Sequence, residues 1–167
     1  MLIVFAGPPC SGKSTLASEL ARRRGGPHLA MDAVRQRILP NAAHTRADRE
    51  VAYRAMHWAA ELLLRAGQDV ILDAPYGHAE DRLALQRIAE KTGARLKRIE
   101  CRVSPETAAA RFHARGPDPV RLDLTEEAVL RMVREYSYVG DGLMLDTERL
   151  SLEECLRAIE QKLNESD

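Results

Sequence analysis

Nine residues near the start of the chain constrain its fold more than any other segment. The apolar run Leu2–Ala6 leads directly into Gly7-Pro8-Pro9-Cys10-Ser11-Gly12-Lys13-Ser14-Thr15. The spacing is G-x-x-x-x-G-K-[S/T], the pattern of a phosphate-binding loop between a buried strand and a helix. Gly7 and Gly12 let the backbone turn several N–H groups toward one anion, because no side chain blocks the approach. The segment therefore predicts a strand–loop–helix unit that binds a nucleoside triphosphate through these nine residues.

Side chains in and beyond this loop predict the cofactors. Lys13 supplies a mobile charge for the β- and γ-phosphates, and the Ser14 hydroxyl is a hard oxygen ligand of the kind that Mg²⁺ takes. The helix that starts near Lys13 turns the positive end of its dipole toward the phosphates. Asp73 follows the apolar run at residues 70–72, where a carboxylate can hold Mg²⁺ through water, with a turn cap before Ala74 as the alternative. We therefore expect ATP and Mg²⁺ as cofactors.

Charge and cysteine content narrow the class of protein. The 167 residues carry 25 Lys and Arg against 25 Asp and Glu, so no overall positive field favours tight, non-specific nucleic-acid binding, which does not exclude a local groove. Cys10, Cys101 and Cys155 lack any paired spacing, which suits a reducing compartment without disulfides or a zinc site. The apolar start is too short for a signal peptide or a membrane span. We expect a cytoplasmic protein without a membrane partner, and its oligomeric state stays open.

Strand and helix patterns alternate along the whole chain. The predicted strands lie at about 2–6, 28–31, 70–73, 95–101 and 143–145, and the predicted helices lie at about 13–24, 48–66, 79–92 and 105–114 and after 125 and 151. This alternation predicts a three-layer α/β/α sandwich around a parallel sheet of about five strands. We expect one domain over residues 1–167 with a small helical lid at about 111–124. Ligands of such sheets bind beyond the carboxyl ends of the strands.

Two of the predicted helices carry apolar residues at steps of three and four, which we expect to face the core. The expected inward residues are Val51, Ala55, Met56, Trp58 and Leu62 in the helix at 48–66, and Leu152, Cys155, Ile159 and Leu163 in the last helix. The last helix also begins with a capping box, because Glu154 follows Ser151 at the third position.

An acidic and a basic residue follow the second predicted strand. Asp32 and Arg35 would lie one turn apart on the same side of a short helix. A carboxylate near the γ-phosphate can accept the proton of an attacking hydroxyl, and an arginine can hold a substrate phosphate with two hydrogen bonds. A helix N-cap and a routine surface ion pair explain the same spacing equally well. Spacing alone therefore leaves both interpretations open.

A second basic pair precedes a helix-breaking segment. Arg111 and Arg115 lie one turn apart, and Gly116-Pro117-Asp118-Pro119 follows them. Two guanidinium groups beside such a loop are typical of a lid that clamps phosphates and stabilises transition-state charge. A solvated helix face is the alternative interpretation.

Together these parts resemble the phosphate-loop kinases that include bacteriophage polynucleotide kinase, zeta-type toxins and chloramphenicol phosphotransferase. The likeness covers nearly the whole chain and is strongest to the kinase domain of polynucleotide kinases. The matching positions are the loop from Gly7 to Thr15, the Asp32-x-x-Arg35 step, Asp73 and the pair Arg111 and Arg115. The resemblance implies a nucleoside-kinase-like fold and a transfer of the γ-phosphate to an acceptor hydroxyl.

The resemblance also implies a role for each matching residue. Asp32 would be the general base, Arg35 would contact the acceptor, and Arg115 with Arg111 would reach the ATP phosphates, while Asp73 would lie at the substrate and the metal. The segment Asp146-Thr147, after residue 145, would lie near the adenine. Polynucleotide kinases tend to carry Asp-Thr-Asn after the third strand, whereas Asp73-Ala74-Pro75-Tyr76-Gly77 stands here. This departure leaves a nucleic-acid 5′ end and a small molecule as alternative acceptors.

A kinase is not the only class that uses a phosphate loop. A GTPase should carry Asn-Lys-x-Asp for reading the base and Asp-x-x-Gly as a switch, and the sequence has no Asn-Lys-x-Asp and has Tyr76 three residues after Asp73. A non-kinase ATPase stays as the less favoured alternative. The sequence therefore predicts an ATP- and Mg²⁺-dependent phosphotransferase, most like a polynucleotide 5′-hydroxyl kinase, with a small-molecule kinase as the alternative.

Overall fold

Parallel strands alternate with helices in the computed structural model, which describes residues 1–40, 45–116, 121 and 124–165. The elements in chain order are β1 (Leu2–Ala6), α1 (Lys13–Arg24), β2 (His28–Ala30), α2 (Met31–Ile38), α3 (Arg46–Arg65), β3 (Val70–Asp73), α4 (Ala79–Thr92), β4 (Leu96–Arg102), α5 (Pro105–Arg115), α6 (Glu126–Glu135), β5 (Leu143–Asp146) and α7 (Leu152–Asn164). The described ranges thus contain five strands and seven helices.

The five strands form one parallel sheet in the order β2-β3-β1-β4-β5. The first strand lies in the middle, with Phe5 opposite Asp73 of β3 on one side and Ile99 of β4 on the other. The carboxyl ends of the three strands β1, β2 and β3 therefore meet at one edge of the sheet. This confirms the predicted three-layer α/β/α fold and gathers the phosphate loop, the start of α2 and Asp73 at that edge.

Side-chain alternation along the buried strands gives the sheet two apolar faces. On one face Val4 and Leu72 pack in a cluster with Met56 of α3 and Leu85 of α4. On the other face Ile3, Phe5 and Ile71 pack in a cluster with Leu16 and Leu20 of α1 and with Leu156 of α7. A smaller cluster of Cys10, Val103, Ala108, Val129 and Val133 lies where α5 and α6 meet the phosphate loop. The apolar clusters therefore support the phosphate loop where it leaves β1 and where it meets α5 and α6.

Helix ends follow the local signals of the sequence. Hydroxyl side chains of Ser104, Thr125 and Ser151 accept hydrogen bonds from backbone N–H groups three residues later, and they cap α5, α6 and α7. Ser151 and Glu154 form the predicted capping box. The bounds of α1 and α4 agree with the prediction, and α4 ends at Gly93 in a left-handed conformation that glycine adopts without strain.

The predicted inward face of α3 is wrong except at Met56, which is buried as expected. The side chains that face the sheet are Ala52, Met56, Ala60 and Leu64, while Val51, Leu62 and Trp58 are exposed, Trp58 by 67%. Both sets recur at steps of three and four, so periodicity alone does not separate them. The buried set has an alanine at every second position, and small side chains there let α3 lie close to the sheet. In α7, Leu152 is 43% exposed and Leu156 is buried in its place.

The lid predicted at about 111–124 is described only in part. The helix α5 ends at Arg115, and Arg121 and Leu124 are described. Residues 117–120 and 122–123 lie outside the described residues. No helix in the described ranges is long and apolar enough to cross a membrane.

Candidate functional site

The phosphate loop needs glycine at both of its ends. Gly7 follows β1 directly with a φ of 147°, and a Cβ atom there would lie 2.7 Å from the carbonyl oxygen of Cys101 and from the Ser11 Oγ. Gly12 has a φ of 83° and is the N-cap of α1, with no side chain bonded to the first N–H groups of the helix. Those N–H groups are the donors that an anion at a helix N-terminus accepts. The backbone is therefore shaped for a phosphate, as the sequence predicts.

A cleft of about 550 Å³ opens in front of this loop. Lys13, Ser14 and Thr15 line it from α1, Asp73 lines it from the end of β3, and Asp32 lines it from α2. The Lys13 Nζ lies 3.5 Å from the carbonyl oxygen of Pro8, so the side chain folds back over the loop. Residues that the sequence predicts for phosphate, metal and proton transfer thus share one cleft.

The neighbouring strands β2 and β3 each carry one buried polar atom without a hydrogen-bond partner among the described residues. Asp73 is 4% exposed, and its Oδ1 has no partner. Its Oδ2 lies 3.9 Å from the Nε2 of His28, which also has no hydrogen-bond partner. Burial lowers the pKa of His28, and the nearby Asp73 carboxylate opposes this effect. Because buried polar groups are normally hydrogen-bonded, this pair points to a ligand that completes the site.

The oxygen atoms at this edge fit a magnesium ion. Ser14 and Asp73 offer a hydroxyl and a carboxylate, which are hard ligands, and the buried Asp73 Oδ1 is unsatisfied. No group of three or more His, Cys, Asp or Glu residues that could hold a metal ion occurs among the described residues. Mg²⁺ is commonly held by one or two carboxylates together with substrate phosphates and water rather than by a complete protein cage. Ser14 and Asp73 could therefore hold Mg²⁺ together with a nucleotide.

The carboxylate of Asp32 contacts the guanidinium groups of two arginines. It lies in the first turn of α2, where its Oδ1 is 3.7 Å from the Nη2 of Arg35 and its Oδ2 accepts a 3.2 Å hydrogen bond from the Nη1 of Arg121. The N-cap of α2 is Ala30, and Arg35 is only 3% exposed. The cap interpretation of Asp32 is therefore wrong, and the ion pair of Asp32 with Arg35 is present but involves a buried guanidinium.

Sequence reasoning missed Arg121. Its position inside the predicted lid was a weak signal, because no local spacing connects it with Asp32, 89 residues earlier. Only the tertiary structure brings these two residues together. Arg121 lines the phosphate cleft as well as the cavity next to it.

Arg111 and Arg115 differ in their surroundings. Arg111 donates to the carbonyl oxygen of Cys10 at 3.1 Å and to the Oγ1 and carbonyl oxygen of Thr147 at 2.9 and 2.6 Å. The Thr147 Oγ1 in turn lies 2.9 Å from the carbonyl oxygen of Ser11. Arg111 is therefore not on a solvated helix face, because it ties the phosphate loop to the segment after β5. Its predicted contact with ATP phosphates stays a prediction.

Arg115 is exposed at the end of α5 and borders two cavities. It lines the phosphate cleft and a neighbouring cavity of about 310 Å³, which Gly12, Thr15 and Thr147 also line. This neighbouring cavity lies behind the phosphate loop, where the sequence predicts the adenine near Thr147.

A further cavity of about 400 Å³, which we call the acceptor pocket, adjoins the phosphate cleft. Asp32 and Arg121 line both spaces, so they stand at the junction. The charged lining of the acceptor pocket within the described residues comprises Arg35, Arg46, Arg49, Arg121, Asp32, Glu50, Glu80, Asp81 and Glu135. Arg46 pairs with Glu50 at 3.2 Å and lies 3.9 Å from Glu80. Burial raises the pKa of Asp81. The lining is therefore close to charge balance.

An aromatic cluster supports the segment between β3 and α4, below the acceptor pocket. Tyr76 has a φ of 49°, and its N–H donates to the Tyr53 hydroxyl at 3.3 Å. The Nε2 of His57 lies 3.3 Å from the Tyr76 hydroxyl, and burial lowers the pKa of His57 to about 4. Arg82 donates to the carbonyl oxygen of Tyr76, and the Tyr136 hydroxyl donates to that of Pro75. These contacts fix the segment that departs from the polynucleotide-kinase pattern.

Comparison with known proteins agrees with this geometry. A family described as AAA domain matches residues 2–138, which include the phosphate loop, Asp32, Asp73 and Arg121. The chain belongs to the AAA domain family. The region matched extends from β1 into the segment after α6, so the family match covers the residues that line both the phosphate cleft and the acceptor pocket.

Solved structures share the fold of this AAA domain protein over almost its whole length. A candidate kinase of Chloroflexus aurantiacus superposes with a TM-score of 0.80 at 23% identity and covers 98% of both chains. The APS kinase CysC of Mycobacterium tuberculosis in complex with AMPPNP and APS gives 0.75 at 21% identity, with 98% and 97% of the two chains covered. A chain of the Pnkp1/Rnl/Hen1 RNA repair complex gives 0.66 at 18%, over 81% of this chain and 43% of that one. At these identities they establish the phosphate-loop kinase fold alone.

The curated relatives are longer proteins. The uncharacterized protein Rv2004c of Mycobacterium tuberculosis is 28% identical over 158 residues, which cover 87% of this chain and 31% of the relative. The chain thus spans about a third of the length of the curated relatives it matches.

Proposed function

We propose that this chain is an ATP-dependent phosphotransferase that moves the γ-phosphate of ATP to an acceptor hydroxyl. The observation that carries the proposal is the position of Asp32, whose carboxylate lines both the phosphate cleft and the acceptor pocket. A base at such a junction can reach a hydroxyl on one side while the γ-phosphate lies on the other. The APS kinase with the same fold binds AMPPNP and APS, which supports the use of this fold for a nucleotide and a second substrate.

The nucleotide half of the reaction depends on the phosphate loop. The backbone N–H groups at the start of α1 and the Lys13 ammonium would bind the phosphates, and Ser14 and Asp73 would hold the metal ion. When bound, Mg²⁺ neutralises charge that develops on the phosphate oxygens. Arg115 lines the cleft from the end of α5, where a guanidinium can stabilise charge on the transferred group.

The acceptor half depends on Asp32 and its arginines. The acceptor hydroxyl gives its proton to the Asp32 carboxylate while its oxygen bonds to the γ-phosphorus, and the bond from that phosphorus to the β,γ-bridging oxygen breaks to release ADP. Arg35 and Arg121 orient the carboxylate through contacts at its two oxygens. The positioned base lowers the barrier most when both substrates are held in line.

The lining of the acceptor pocket favours a small molecule as acceptor. Arg35, Arg121 and Arg46 already pair with carboxylates of the protein, and the pocket is lined by five carboxylates and four arginines among the described residues. A polynucleotide site relies on cations available to the phosphate backbone. A cavity of about 400 Å³ with balanced charge instead fits a compact, hydroxyl-bearing molecule.

A nucleic-acid 5′-hydroxyl end is the second candidate acceptor. The sequence resemblance to polynucleotide kinases favours it, and a chain of an RNA repair complex has the same fold. Arg49 lines the mouth of the acceptor pocket and could contact a terminal phosphate. Activity on the two classes of acceptor separates these candidates directly.

Transfer of label from [γ-³²P]ATP with Mg²⁺ tests the proposal. The acceptors are a 5′-hydroxyl oligonucleotide and a panel of nucleosides, nucleotide sugars, sugars and hydroxyl-bearing antibiotics. We expect label on a small molecule, lost in Lys13→Ala and retained in Lys91→Ala, whose lysine lies outside the cleft with a side chain 62% exposed. Label on the oligonucleotide alone would mean that the acceptor is a nucleic-acid 5′ end and not a small molecule. ATP hydrolysis unaffected by every acceptor would favour a non-kinase ATPase.

A further inference from the structure

Two buried polar atoms of the phosphate cleft, the His28 Nε2 and the Asp73 Oδ1, have no hydrogen-bond partner within the described residues. The His28 Nε2 and the Asp73 Oδ2 are 3.9 Å apart, beyond hydrogen-bonding distance, and the Asp73 Oδ1 is also unpartnered. His28 and Asp73 both line the cleft beside Ser14. A polar contact of this length suggests a bridging oxygen, because one oxygen about 2.8 Å from each atom would satisfy both.

Strand register places the imidazole beside the carboxylate. Ala30 of β2 pairs with Asp73 of β3, and His28 lies two residues before Ala30. Residues at steps of two along a strand share a face, so His28 is a diagonal neighbour of Asp73 on one side of the sheet. The pairing of His28 with Ile71, which packs against α1, assigns that side to the face that α1 covers. The imidazole is therefore held by the sheet and does not depend on a loop.

We propose that His28 is a positioning residue of the metal site, where its Nε2 and the Asp73 carboxylate together hold one water ligand of the ion that accompanies the nucleotide. This inference rests on the proposed function. Mg²⁺ keeps several of its waters when it binds to proteins, and the groups that hold those waters orient the ion. His28 supplies a hydrogen bond from the protein to such a water, and Ser14 and Asp73 supply the oxygen ligands.

A buried core histidine would look different. His57, the buried histidine of α3, has its Nε2 3.3 Å from the Tyr76 hydroxyl and does not line the phosphate cleft. The His28 Nε2 has no such partner in the described part of the chain and lies in the cleft. His57 therefore serves as a matched control, since its removal also empties a partly buried histidine site without touching the metal.

Binding of Mn²⁺ to the complex with the non-hydrolysable analogue AMPPNP, followed by electron paramagnetic resonance, tests the inference without turnover. Loss of a group that holds a metal-bound water typically weakens metal binding about 10- to 100-fold. We expect this loss in His28→Leu, whereas His28→Gln keeps a polar group at similar reach and stays within about threefold of the parent. Affinity for AMPPNP without metal and the unfolding midpoint are measured for each variant, so that a misfolded protein is recognised.

The control variant and the second substitution decide the outcome. His57→Leu should keep the parent affinity for Mn²⁺ even if it lowers stability. Unchanged Mn²⁺ affinity in His28→Leu overturns the inference, and so does an equal loss in His28→Gln, which would mean that the imidazole itself binds the ion. If the parent protein binds neither AMPPNP nor Mn²⁺ with AMPPNP, the proposed function fails instead, so the two failures are distinct.

Discussion

The phosphate cleft and the acceptor pocket adjoin each other but differ in whether their polar groups have partners within the protein. In the cleft, the buried Asp73 Oδ1 and His28 Nε2 have no hydrogen-bond partner among the described residues. In the acceptor pocket, charged groups such as Arg46 and Glu50 pair with each other. Unsatisfied buried groups are costly unless a ligand completes them, whereas exposed ion pairs such as Arg46 with Glu50 carry no such cost. The cleft is thus built around its ligand, and the pocket is largely preformed.

This difference assigns binding energy and selectivity to different halves of the site. The cleft gains hydrogen bonds when a charged ligand enters, so we expect it to supply most of the affinity. The acceptor pocket must exchange existing ion pairs for contacts with the acceptor. The shape of the pocket and the positions of its polar groups therefore decide which acceptor it binds. Asp32 lies at the junction of the two, and its arginines come from α2 and from the segment between α5 and α6.

The largest expected effect is on phosphate transfer, when the carboxylate of Asp32 at the junction of the two halves is removed. Asp32→Asn keeps the size of the side chain and a hydrogen-bond acceptor for Arg121, but it removes the base. General-base catalysis contributes about 10²- to 10⁴-fold, so we expect transfer to fall by that range while nucleotide affinity stays within about threefold. Single-turnover transfer and AMPPNP titration measure the two quantities. Unchanged transfer would remove the base assignment, and a parallel loss of nucleotide affinity would mean that the two halves are not separate.

The same division explains what could be predicted from the sequence. The phosphate loop is a contiguous pattern, so Gly7, Gly12 and Lys13 were identified with their surroundings. The alternation of strands and helices and the capping box at Ser151 also follow local signals, and the predicted fold is confirmed. The acceptor pocket joins residues distant in sequence, for example Arg121 and Asp32, which are 89 positions apart. No local pattern encodes such a contact.

The face of α3 was mispredicted for a related reason. Trp58 and Met56 belong to two apolar stripes of the same helix, and hydrophobicity favours the stripe with tryptophan. The sheet instead receives the stripe with Ala52 and Ala60, and Trp58 is 67% exposed. Close packing against β-strands depends on the shape of both surfaces, which periodicity does not describe. The proximity of the His28 and Asp73 side chains was missed because neither residue predicts the register of β2 on β3.

An intermediate effect is expected on the stability of the protein at low pH, through His57 in the cluster below the acceptor pocket. Burial lowers the pKa of His57 to about 4, against 6.5 for an ordinary histidine, so between these values the unfolded chain binds a proton that the folded chain does not. The free energy of unfolding therefore decreases as pH falls from about 6.5 to about 4, by up to about 3 kcal/mol from this group. Urea unfolding at a series of pH values in this window measures the loss.

Substitution of the histidine isolates its share of that acid sensitivity. His57→Gln retains a polar group for the Tyr76 hydroxyl but does not titrate, so its unfolding free energy should depend less on pH across the same window. A parent and variant with the same pH dependence would contradict the assignment. The result also bears on the two halves, because Tyr76 belongs to the segment that lines the acceptor side and accepts a hydrogen bond at its carbonyl from Arg82.

The smallest effect, and the finest test of the boundary between the halves, is expected at Arg121. Arg121→Gln shortens the side chain and removes the positive charge that donates to the Asp32 Oδ2 at 3.2 Å. Hydrogen bonds to charged groups are worth about 1.5–3 kcal/mol, so kcat/KM for the acceptor should fall about 10- to 100-fold. Affinity for the metal-free nucleotide should change less than about threefold.

Arg131→Gln, at an exposed position of α6, is the matched control and should leave both quantities unchanged. A larger loss in nucleotide affinity than in kcat/KM would place Arg121 with the phosphate cleft, and the orientation of Asp32 would then depend on Arg35 alone.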